Sequence, residues 1–142
     1  RDSLLVTKEE LVQDLLANER EMERFGVKGT NARYFLPPYE WFNDSILRWT
    51  TELGRQLVNY SPGTLSHADY TSPREGNYRS SASILASIRQ KEAREGLRGF
   101  ILLLHIGVTP ERPDPFFYQL PELLEWLQHQ GYQLVRIDEL LR

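Results

Sequence analysis

Cysteine is absent from this 142-residue chain. Disulfides and thiolate metal sites are thereby excluded, and any metal ligands have to be His, Asp or Glu. Histidine is itself scarce, at three residues: His67, His105 and His129. There is no block of Lys or Arg, and the formal charge is −3, so nucleic acid and anionic membrane surfaces are not expected partners. No apolar run approaches the roughly 18 residues of a membrane-spanning helix. The first residue is Arg1 rather than Met, which leads to the expectation of an upstream segment. The apolar content, 40% of residues, is ample for a single core.

The densest apolar stretch is Gly99-Phe100-Ile101-Leu102-Leu103-Leu104-His105-Ile106-Gly107. It reads as a short strand buried on both faces, as in a parallel sheet covered by helices. His105 stands where that strand runs out. The carboxyl ends of parallel strands form the floor of the active site in open α/β sheets and in β/α barrels. His105 is therefore the first candidate for chemistry.

Around this stretch, helices and strands are expected to alternate. Thr7-Lys8-Glu9-Glu10 is a capping box, and Leu11, Leu15, Met22 and Phe25 after it predict a helix with one buried stripe, closed by Gly26. Arg33 to Leu36 reads as a short strand stopped by Pro37-Pro38. Asn43 or Asp44 caps a second helix with Ile46, Leu47, Trp49 and Leu53 inward, followed by a strand from Gln56 to Tyr60. Ser61 to Tyr78 is a loop of a length that compact domains seldom carry as passive connection. A third helix starts at Ser80 or Ser81, with Ile84, Leu85 and Ile88 inward. A second loop, Val108 to Tyr118, holds three prolines and Phe116-Phe117-Tyr118. Pro121 suits the first turn of a fourth helix with Leu123, Leu124 and Leu127 as its stripe, and Gly131 closes it. Tyr132 to Ile137 reads as a last strand. The alternation calls for a parallel sheet with right-handed crossovers, either an open doubly wound sheet or an arc of a β/α barrel. Parallel strands would bring three strand-end segments, residues 36–40, 60–70 and 104–107, to one face.

Those three segments, in that order, resemble the later motifs of the polysaccharide deacetylases of the NodB-homology type. Phe35-Leu36-Pro37-Pro38-Tyr39 is similar to that family's Arg-x-Pro-Tyr motif, Asp69-Tyr70 to its Asp-Trp motif and Leu103-Leu104-His105 to its Leu-x-His motif. The ending from Gly131 to Leu141 is also similar. The resemblance implies an α/β fold of parallel β/α repeats forming part of an irregular β/α barrel, with residues 1–142 as the C-terminal part of one domain. It implies metal-dependent hydrolysis of acetyl groups on a polysaccharide, N-deacetylation above all, outside the cytoplasm. By position, His105 is then the general acid, and Asp69 orients it and favours its imidazolium form. The Tyr39 backbone amide holds the oxyanion, and Leu103 and Tyr70 line a pocket for the acetyl methyl. The family's metal ligands and catalytic base belong to two earlier motifs, and neither an Asp-Asp-Gly nor a His-x-x-x-His occurs here. The divalent metal, zinc or similar, is thus expected in the intact domain and not on this chain alone, which is expected to be inactive by itself.

Two positions depart from the family pattern. Leu36 stands where the family has an arginine that braces the base, and Arg33, three residues earlier, faces the opposite way by strand alternation. Tyr70 replaces a tryptophan, which keeps a flat apolar wall with a polar tip. Glu40, Trp41 and Phe116 are candidate substrate contacts, the aromatics as surfaces for sugar rings, against the plainer readings of a helix-start acid and core packing. His67 reads as a solvated loop residue and His129 as a cation at a helix C-terminus. A non-catalytic carbohydrate-binding barrel is the alternative, with Leu36 as its best support, and an open-sheet scaffold is a third reading. An unpaired sheet edge would favour self-association.

Overall fold

Thr7 accepts the Glu10 N–H through Oγ1 at 3.2 Å, while the Glu10 carboxylate accepts the Thr7 N–H at 2.7 Å. This reciprocal cap opens helix α1, Lys8–Glu23, and holds the Glu10 carboxyl below its ordinary range through the bond from the Thr7 backbone. The computed structural model describes residues 4–142. The chain forms two compact units, Arg1–Asn59 and Tyr60–Arg142.

In the first unit, α1 packs on helix α2, Asp44–Glu52. Asn43 caps α2 by accepting the Ile46 N–H at 3.1 Å. The stripe of α1 is only half-buried, and Phe25 is 83% exposed, which corrects the expectation of a buried stripe. Ile46 and Thr50 of α2 are buried, and the Thr50 hydroxyl is satisfied inside its own helix by donating to the Ile46 carbonyl at 2.9 Å. Strands β1, Tyr34–Phe35, and β2, Gln56–Leu57, pair in parallel with Tyr34 opposite Gln56 and Phe35 opposite Leu57. Glu19 at the far part of α1 accepts from Arg55 Nε at 2.7 Å.

The second unit is built on helix α3, Ser81–Glu95, and helix α4, Leu120–His129, with a closing turn of helix, α5, Ile137–Leu140. Ser80 caps α3 through the Ser83 N–H. Ile84, Leu85, Ile88, Leu97, Phe116, Leu123 and Leu127 form its core, against which Leu65, Phe100, Leu102, Leu104, Trp126 and Tyr132 pack. Burying side chains of this size contributes about 1.5–3 kcal/mol each.

The expected β/α barrel is not formed. The described residues are 48% helix and 3% strand, and the one sheet among them is the pair β1–β2. The stretch from Phe100 to Ile106 shows why. Phe100, Leu102 and Leu104 alternate onto the core as a strand's residues would. Two of its amides, however, go to side chains: Ile101 N–H donates to Ser61 Oγ at 3.0 Å and His105 N–H to Asp69 Oδ2 at 2.6 Å. Its backbone bonds, Ser61 N–H to the Ile101 carbonyl at 2.9 Å and Phe100 N–H to the turn carbonyl of Leu97 at 3.0 Å, do not make a ladder. Tyr132 to Arg136 likewise carries no ladder, and Ile137 already begins α5. The pattern of apolar residues is that of strands, whereas the partners that would complete a sheet are loops.

Candidate functional site

The loop from Ser61 to Tyr78 is held inward by its small polar residues. Thr64, Ser66, Ala68, Asp69, Thr71 and Ser72 are all buried. A 3-10 turn, Ser66–Ala68, packs against α3, and the Leu65 N–H donates to Ser87 Oγ on that helix at 3.0 Å. The turn delivers Asp69: its N–H donates to the Ser66 carbonyl, and the Thr71 N–H and hydroxyl both donate to the Ala68 carbonyl. Short hydroxyl side chains allow this because they satisfy backbone groups locally.

Both Asp69 oxygens are directed at one residue, 36 positions away. Oδ2 accepts the His105 N–H, and Oδ1 lies 2.6 Å from His105 Nδ1. The Asp69 side chain is 1% exposed and that of His105 34%. The buried carboxylate therefore fixes both the backbone and the ring of a half-exposed histidine. Nε2 of His105 has no partner among the described residues. With a carboxylate at Nδ1, the neutral ring keeps its proton there and presents Nε2 as an acceptor, while the imidazolium presents Nε2–H as a donor. The Tyr70 ring meets the His105 ring edge-on at a centroid distance of 5.1 Å. Leu103 is half-buried two residues before His105 and takes no part in the core packing.

The remaining candidates lie on other elements. Tyr39, Glu40 and Trp41 belong to the first unit. Tyr39 and Trp41 are 82% and 71% exposed, and their rings are 6.5 Å apart. Tyr39 and Glu40 both adopt positive φ, 57° and 58°, a left-handed conformation that costs a side-chain-bearing residue roughly 1–2 kcal/mol. Asn59 steadies this turn by donating from Nδ2 to the Glu40 carbonyl at 3.1 Å. The Tyr39 N–H meets no acceptor among the described residues. Phe116, a candidate rim residue, is fully buried in the core of the second unit, so it is unavailable to a sugar. His67 is not the solvated loop residue the sequence suggests: it stacks on Tyr60 at 4.9 Å and its Nδ1 is buried without a partner among the described residues.

A buried network beside the dyad was not legible from sequence. The Arg112 side chain is wholly buried. Asp114 accepts the Ser81 N–H at 2.5 Å and the Tyr78 hydroxyl at 2.8 Å. Burial alone would raise the Asp114 carboxyl, but the Ser81 and Tyr78 bonds and the Arg112 charge outweigh it and hold the group below the usual range. The Tyr78 hydroxyl is pushed up by burial and by its bond to Asp114.

No protein-family model matches this chain, and no curated protein matches it. No helix among the described residues is long and apolar enough to cross a membrane.

Proposed function

We propose that this chain carries the proton-transfer dyad of a glycan deacetylase, in which His105 protonates the leaving amine and Asp69 holds the imidazolium. The observation that carries the reading is the two-point grip of buried Asp69 on His105, ring and amide together, with Nε2 left open. General acid catalysis needs a donor of fixed orientation that substrate can reach, and such a group contributes typically 10²–10⁴-fold. Tyr70 stands beside His105, its ring edge-on to the His105 ring. The motif resemblance, Asp69-Tyr70 with Leu103-Leu104-His105, supports an acetyl-bearing sugar as substrate.

Among the described residues, no three His, Asp or Glu side chains are grouped to hold a metal. The donor set present does not fit the divalent ion that the resemblance implies, and the chemistry assigned to these residues is limited to proton transfer and orientation. The exposed pair Tyr39 and Trp41 favours a second reading, a carbohydrate-binding protein without turnover, since exposed rings suit the apolar faces of sugars.

Acetate release from N-acetylated chito-oligosaccharides tests the first reading, with the whole protein in which this sequence occurs, with added zinc and with chelator. His105→Ala is expected to lower kcat by about 10²-fold or more, with the fold intact by circular dichroism. Sugar binding without acetate release, unchanged in His105→Ala, supports the second reading and overturns the first.

A further inference from the structure

We infer that Arg112 is the positioning residue of the Asp69–His105 pair, an inference that rests on the dyad reading above. A buried guanidinium is costly to desolvate and persists only where its donors are used. Here Nη1 donates to the Thr71 carbonyl at 2.7 Å, Nη2 to the Arg79 carbonyl at 2.9 Å and to Ser81 Oγ at 3.1 Å, and Nε to the Asp114 carbonyl at 3.1 Å. The nearest carboxylate, Asp114, is 3.5 Å away and is itself directed at Ser81 and Tyr78. The Tyr78 ring covers the guanidinium at 5.2 Å. Three of its four bonds thus fix backbone carbonyls from separate parts of the chain.

One of those carbonyls belongs to Thr71, two residues past Asp69 in a turn closed by the Thr71 bonds to Ala68. Arg112 lies in the loop that follows His105. The segments 69–71 and 105–112 are therefore joined twice, once by Asp69 and His105 and once by Thr71 and Arg112. With the first joint alone, the Asp69 carboxylate can swing about its turn. The second joint removes that freedom and aims both oxygens at His105. Lysine cannot replace it, because one ammonium lacks the planar fork that serves carbonyls in different directions.

The test is hydrogen exchange and imidazole NMR on the ¹⁵N-labelled chain, which reads the dyad without any assay of turnover. In Arg112→Lys, the His105 amide is expected to exchange about tenfold faster relative to the core amide of Ile88, and the His105 Nδ1–H resonance to weaken. Leu127→Ala, a core change remote from the guanidinium's bonds, is expected to accelerate both amides together. Ser81→Ala, which removes one acceptor and keeps the arginine, is expected to give a smaller change in the same direction, and it decides the matter should Arg112→Lys not fold. An unchanged ratio of His105 to Ile88 exchange in the folded variant overturns the positioning role while leaving the dyad in place. Absence of the Nδ1–H resonance in the unaltered chain overturns the dyad and this inference with it.

Discussion

Asp69 and Asp114 are two buried or half-buried aspartates with opposite uses. Asp69 is directed wholly at His105. Asp114 ties the start of α3 to the loop after His105, through Ser81 and Tyr78. Its carboxyl is held below the ordinary aspartate value of about 3.9. A depressed folded-state pKa means that the unfolded chain takes up the proton first as the pH falls. The stability Asp114 contributes is therefore complete above that ordinary value and is lost as the pH drops through its lower folded value. Thermal unfolding followed between about pH 6 and pH 3 checks this: Asp114→Asn is expected to melt lower than the unaltered chain at neutral pH and to lose less on acidification. An equal or steeper loss in the variant would place the acid sensitivity elsewhere.

At the scale of elements, the second unit depends on α3 and α4 meeting across Phe116. That residue is fully buried among Ile84, Ile88, Leu123 and Leu127 in one core cluster, whereas Tyr118, two residues later, is exposed. Phe116→Ala is expected to destabilise the unit by about 3–5 kcal/mol in urea unfolding, the range for a large aromatic removed from a packed core. A loss below about 1 kcal/mol would mean that Phe116 lies at the surface after all. The helices were legible in the sequence because their signals are local: Thr7 with Glu10, Asn43, Ser80 and Pro121 each sit at or within a turn of the helix start they announce. Strands are defined by partners far along the chain: those expected at residues 33–36 and 56–60 form only as the short parallel pair β1–β2, and those expected at 100–106 and 132–137 do not form. Phe100, Leu102 and Leu104 show the period of a strand, but Ser61 and Asp69 take the amides that a ladder would use. The same substitution of side chain for strand created the grip on His105. The paired positive φ of Tyr39 and Glu40 was equally illegible, since neither residue is a glycine or an asparagine.

Over the whole chain, the residues singled out from sequence divide between the two units. Tyr39, Glu40 and Trp41 lie in the first, and Asp69, Tyr70, Leu103 and His105 in the second. The dyad is thus a property of one unit, and its geometry follows from that unit's own loops and helices. Composition and spacing pointed to His105 alone; Asp69 came into view only through the motif resemblance. Arg112 was hidden because an arginine in a proline-rich loop looks solvated until the fold closes over it.

In the proposed dyad Asp69 holds His105 with a proton on Nδ1 and Nε2 open, and a long-range ¹H–¹⁵N spectrum of the histidine rings across pH reads that state directly. His105 is expected to keep its proton on Nδ1 when neutral, and to lose that preference in Asp69→Asn. A neutral His105 protonated on Nε2, or a spectrum unchanged by Asp69→Asn, would contradict the dyad and the proposed function together.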